Sequence, residues 1–200
     1  MNTLKAEKRS MDVKAKRLRR EGFVTGNVFG KKIEGSIPIK MTKKDVDHLL
    51  KTENKGSQIM LDIEGESYDV LIKEIDYNAL ASRVDEIDFQ ALVSNEKVHS
   101  VAEIQLVNHD KVQAGVLQEM LQEISYRALP KDLIDRVKVD VGEMQVGDTI
   151  RVKDLEIASR KEIEILSDPE SVIVTVTAVH NVVPETDAEA AENGAAEAKE

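Results

Sequence analysis

Cysteine and tryptophan are absent from the 200-residue chain, and aromatic residues make up only 3% of it. Without cysteine there are no disulfides, no thiolate metal ligands and no cysteine nucleophile. With so few aromatics, the core has to be built from Val, Ile and Leu. Long hydrophobic runs are missing too. None reaches the roughly 18 residues of a membrane-spanning helix, and Met1–Arg20 lacks the apolar centre of a secretion signal. The expectation is a cytoplasmic protein with no membrane partner. Histidine occurs only at His48, His99, His109 and His180. No two of these form an i, i+4 pair, which disfavours a zinc site and leaves no cofactor implied. What the chain does have is 41% hydrophobic and 33% charged residues, enough to fold around a core and stay soluble. Its length gives room for one large domain or two small ones.

The formal charge of −10 would disfavour a nucleic-acid partner if it were evenly spread, but it is not. Residues 1–32 hold ten basic side chains against three acidic ones, a net +7. Residues 184–200 hold one basic against six acidic side chains, a net −5, so residues 33–183 carry −12. A basic end on an acidic body points to a polyanion docked at one place only, with the remaining surface repelling non-specific nucleic acid.

Period-two patterning dominates the chain. Thr3–Lys8 reads as a short strand, and Phe23–Gly30 as a strand in which Gly26 marks a bulge or a close backbone approach. Ile33–Lys40 alternates and is expected to end near Pro38. Gln58–Glu74 forms two alternating runs around Glu64-Gly65-Glu66, a hairpin signature, and Val84–Val93 alternates again. Two helices interrupt this pattern. In Lys14–Glu21 (KAKRLRRE) Leu18 is the one large apolar residue, so the segment is expected to stay frayed until something neutralises it. Thr42–Lys51 opens with Thr42 and Asp45 in a capping-box arrangement and carries a Val46, Leu49, Leu50 stripe. After a turn-like break at Val93–Lys97, strands are expected at Val98–Val107, Val137–Val141, Thr149–Val152, Ile163–Ile165 and Val172–Val179. Gly115–Arg127 fits a helix and a strand about equally, with local pattern slightly favouring helix. The predicted fold class is mainly β, a sandwich or open barrel with a few short helices. Residues 184–200 have no apolar period and a strong acidic bias, and are expected to be disordered.

Catalytic signatures are missing. Gly22, Gly26 and Gly30 recur every four residues, but no Gly-Lys-Ser/Thr follows, and no Gly-x-Ser-x-Gly occurs. Asp85, Glu86 and Asp88 form a carboxylate cluster that could serve acid–base or metal chemistry, although acidic residues on the wet face of a strand are ordinary. The protein is therefore expected not to be an enzyme. The basic segment remains: Arg9, Lys14, Lys16, Arg17, Arg19 and Arg20 are spaced to follow a phosphate backbone. Phe23 and Phe29 are assigned to the core, and without an aromatic-rich sheet motif the expected ligand is folded RNA read by shape and phosphate.

Several segments, in order, resemble a known family: LKAEKR at Leu4–Arg9, AKRLRREGFV at Ala15–Val24, NVFG at Asn27–Gly30, VLIKEID at Val70–Asp76 and DEIDF at Asp85–Phe89. They continue with GVLQ at Gly115–Gln118, ALPKDL at Ala128–Leu133, VKVDV at Val137–Val141, GDTIRVKDL at Gly147–Leu155 and DPES at Asp168–Ser171. The chain resembles bacterial large-subunit ribosomal protein number twenty-five in its long, two-domain form, the general stress protein Ctc type. The resemblance implies a 5S rRNA-binding β-barrel over residues 1–93, a β-rich second domain over 94–183 and an acidic tail over 184–200. It also implies a strand rather than a helix within Gly115–Arg127. The implied partners are 5S rRNA, the large ribosomal subunit and neighbouring ribosomal proteins, with a monomer off the ribosome. By position, Arg9, Lys16, Arg17 and Arg19 stand where the family contacts RNA from its basic segment, and Asp88 where its strand carries an RNA-contacting Asp. The chain departs from the family at Asp76 and Glu86, where a glutamine and a histidine are usual. Two donors have become carboxylates on the RNA face, which weakens it there. The competing expectation is a divergent stress-related relative that binds RNA weakly and acts through a protein partner.

Overall fold

The computed structural model describes residues 2–31, 33–112 and 115–178. The disorder expected for residues 184–200 and the last residue expected of the final strand, Val179, fall outside them. The first half is a closed six-stranded barrel: β1 (Thr3–Lys8), β2 (Phe23–Phe29), β3 (Ser36–Thr42), β4 (Gln58–Ile63), β5 (Glu66–Asn78) and β6 (Arg83–Ala91), in the order β1-β3-β2-β6-β5-β4. β1 runs parallel to β4 and β2 parallel to β6; the other pairs are antiparallel. Closure removes the sheet edges that would otherwise invite pairing with another chain.

Alternation builds the barrel. In β4, Ile59, Leu61 and Ile63 are fully buried, and Val70, Ile72, Ile87 and Phe89 meet them from β5 and β6. The β4–β5 turn is Glu64-Gly65, both with positive φ, closed by the Asp62 carboxylate accepting from the Gly65 N–H at 2.9 Å. β3 starts later than the expected Ile33 and runs through Pro38 to Thr42. Pro38 O accepts from Arg9 N at 2.9 Å, just beyond the last β1 pair, Lys8↔Ile39. The missing proline N–H therefore falls where β1 has already ended and costs no ladder bond. Gly26 sits in regular register; a Cβ there would stand 2.1 Å from Ile87 O, so it serves the close approach of β2 to β6 rather than a bulge. Phe23 and Phe29, assigned to the core from sequence, are only half-buried at the two ends of β2; Phe89 is the phenylalanine that fills the barrel.

Helix α1 (Ala15–Arg20) lies between β1 and β2, and α2 (Lys43–Leu49) between β3 and β4. Thr42 caps α2: its hydroxyl accepts from Asp45 N at 3.2 Å and donates to the Asp45 carboxylate at 2.7 Å. α1 is formed rather than frayed, held by contacts from Arg19 to β6.

The second half holds a sheet of order β10-β7-β9-β12, from β7 (Val98–Val107), β9 (Glu123–Ala128), β10 (Arg136–Asp140) and β12 (Glu164–Ile165). A second sheet, of order β11-β13-β8, comes from β8 (Val116–Glu119), β11 (Thr149–Arg151) and β13 (Val172–Thr177). Ile124, Tyr126, Val139, Ile173 and Val174 share one core. The helix favoured by local pattern at Gly115–Arg127 is absent. The segment forms β8 and β9 in different sheets, and Met120–Gln122 carries the chain from one to the other. Leu71, Leu92 and Val98 form a small buried cluster joining the barrel to the second half. Beside it Gly56 (φ +90°) lies so close to Val101 that a Cβ would stand 2.1 Å from the Val101 carbonyl oxygen.

Candidate nucleic-acid interface

On helix α1, Ala15, Leu18 and Arg19 fall at i, i+3 and i+4 and share one face. That face meets the barrel. Leu18 is buried, and the Arg19 Nε donates to Asp85 O of β6 at 3.2 Å. The other guanidinium nitrogens of Arg19 lie 3.7 Å from the Asp85 carboxylate and 3.8 Å from that of Glu86. Arg17, Arg19 and Arg20 in the last turn also suit the negative end of the helix. Here the sequence expectation of a helix waiting for a counter-charge needs revising: β6 supplies the counter-charge.

The six basic residues expected to bind RNA divide into two groups. Arg19 is largely covered and tied to β6. Arg9 is half-buried; its Nη2 donates to Val13 O at 3.1 Å and shapes the loop leading into α1. Lys14, Lys16 and Arg20 are exposed and make no ion pair among the described residues. Arg17 is exposed with a single i, i+4 partner, Glu21, at 2.9 Å, a contact that water keeps weak.

The adjoining barrel face is acidic. Register places Asp76 directly opposite Glu86 and Glu74 directly opposite Asp88, two like-charge cross-strand pairs side by side. Asn27 of β2 relieves part of this. Its Nδ2 donates to Glu86 and Asp88, each at 3.2 Å, and its backbone N–H donates to Asp88 at 3.1 Å. Arg19 offsets Glu86 from the other side. Asp76 and Glu74 are exposed and make no ion pair among the described residues.

Asp85 does not belong to the wet acidic face that the sequence suggested. The β5–β6 register passes from Asp76↔Glu86 to Tyr77↔Val84, so Asp85 is the extra residue of a bulge. Asp85 is 8% exposed, and its carboxylate accepts from Arg83 Nε at 2.7 Å and from Asn78 Nδ2 at 3.2 Å. Burial pushes its pKa up, but the bonds from Asn78 and Arg83 and the charge of Arg19 outweigh this and hold it below the ordinary carboxylate value. A carboxylate held in this way is a structural anchor for α1. No group of three or more His, Asp or Glu is placed to hold a metal ion among the described residues. Sequence reasoning missed Asn27, Asn78 and Arg83. Arg83 and Asp85, two apart on a strand, were the available signal for the last.

The fold and this surface define a class: a two-part β protein with a short helix of exposed cations braced against a barrel. Residues 4–89 match the model of the Ribosomal L25p family, and residues 97–180 match that of the ribosomal protein TL5 C-terminal domain. The chain is 31% identical over 172 residues to the large ribosomal subunit protein bL25 of Carboxydothermus hydrogenoformans, covering 84% of each protein. To that of Bacillus pumilus it is 31% identical over 195 residues, covering 94% of this chain and 92% of the relative. To that of Bacillus velezensis it is 28% identical over 194 residues, covering 94% of each. The chain belongs to the bL25 family of bacterial large-ribosomal-subunit proteins, in its long form with the additional C-terminal domain, the Ctc type.

Proposed function

We propose that the protein is a structural component of the large ribosomal subunit that grips 5S rRNA with helix α1 and the neighbouring barrel face. One observation carries this reading: Lys14, Lys16 and Arg20 stand exposed on a helix anchored through Arg19 to β6, the strand that carries Asp88. Phosphate contacts from Lys14, Lys16, Arg17 and Arg20 fix position, while Asp88 and its neighbours lie within reach of base edges. Arg9 and Arg19 contribute by holding the gripping segment in shape. The carboxylates at Asp76 and Glu86 make the grip looser than one built with neutral donors at those positions. Residues 1–93 form the RNA-binding domain, 94–183 a second domain that meets neighbouring ribosomal proteins, and 184–200 an acidic tail. The protein works in the cytoplasm and is a monomer off the ribosome.

The test is a gel shift with 5S rRNA against a control RNA of equal length. With about four phosphate contacts, log affinity falls against log salt with a slope of about −3 to −4. Absence of binding at low salt, or equal affinity for both RNAs, removes the reading.

A further inference from the structure

The tip of the β5–β6 hairpin is the most exposed apolar feature beside α1. Leu80 is 102% exposed and Tyr77 59%, in a chain with three tyrosines of which Tyr126 is fully buried in the second half. The tip is braced. The Asn78 side chain accepts from Ala81 N at 3.0 Å, and Ser82 N donates to Ala79 O at 3.3 Å. Asp85 ties the tip to α1, because its carboxylate takes Asn78 and Arg83 from the hairpin and lies 3.7 Å from Arg19 of the helix. An exposed ring on a braced turn has the properties of a stacking platform, which gains contact area at small cost in conformational entropy.

We propose that Tyr77, flanked by Leu80, is a second RNA contact that stacks on an unpaired base while α1 holds the phosphates. This rests on the RNA-binding reading and adds to it a recognition element on the hairpin. The occupant is RNA rather than protein because the tip shares its anchor, Asp85, with helix α1, the element that the proposed function assigns to phosphate.

Full-length parent, Tyr77→Ala, Tyr77→Phe and Lys16→Ala are titrated with transcribed 5S rRNA across a salt series, with chemical probing of unpaired bases. Tyr77→Ala is expected to weaken binding about 5- to 100-fold with the salt slope and thermal midpoint unchanged. It should also expose one base that the parent protects. Tyr77→Phe, which keeps the ring, should bind like the parent, and Lys16→Ala should flatten the slope. If the parent binds and Tyr77→Ala binds equally well with the same protections, the stacking proposal is overturned while the RNA-binding reading stands. If the parent does not bind 5S rRNA, both fall. A concentration-dependent dimer of the parent that Leu80→Ala abolishes would assign the tip to self-association and overturn the proposal.

Discussion

Two surfaces meet at the candidate interface, and they handle charge in opposite ways. On α1 the outward cations Lys14, Lys16 and Arg20 have no ion-pair partners among the described residues, whereas on β5 and β6 four carboxylates stand in two directly opposed pairs. The helix keeps its charge available. The sheet carries a like-charge cost that Asn27 and Arg19 only partly relieve. Charged residues in one basic run are therefore not equivalent: Arg19, pulled inward by Asp85 and Glu86, is a brace, and its neighbour Arg20 is a handle.

The largest expected effect comes from removing the handles. Replacing Lys14, Lys16 and Arg20 together with alanine should lower 5S rRNA affinity roughly 100-fold or more and flatten the salt slope by about 2 to 3, with stability unchanged in denaturant titration. If affinity survives, the division between handle and brace fails. Removing the anchor comes next. Asp85→Ala leaves Arg19 and Arg83 without their carboxylate and should cost about 1–3 kcal/mol, with early hydrogen exchange across α1. Reversing the sheet's charge should act the other way. Asp76→Gln with Glu86→His removes one opposed pair and one partner of Arg19, and should raise affinity about tenfold at low salt; no gain would mean that the acidic face lies away from RNA.

The smallest effect is acid dependence. Asp85 is held below its ordinary value of 3.8, so its contribution is fully present above that pH. It is lost as pH falls through the lower folded value. The protection of the α1 amides, with the intrinsic pH dependence of exchange divided out and followed by NMR, should therefore fall only below pH 3.8, and this step should be missing in Asp85→Asn.

Much of the barrel was legible because its strands bury one face and alternate, as β4 does throughout and β6 does beyond the bulge at Asp85. Gly115–Arg127 was not, since Leu117, Met120, Leu121 and Ile124 satisfy a helical period while the even positions satisfy a strand. Only the pairing of β8 with β13 and of β9 with β7 decides between them. The bulge at Asp85 was equally hidden, because simple alternation gives Asp85 no reason to join Glu86 beside α1. The basic segment itself was plain to see, but its partition was not. The i, i+3, i+4 relation of Ala15, Leu18 and Arg19 was the one clue that Arg19 faces inward.

The division between handle and brace is tested most directly by comparing Lys16→Ala with Arg19→Ala in the same salt-dependent 5S rRNA titration, alongside denaturant unfolding. Lys16→Ala should reduce the slope by about 1 and leave stability untouched, while Arg19→Ala should lower stability and leave the slope as it was. The opposite pattern, with Arg19 carrying the salt dependence and Lys16 the stability, would contradict the account.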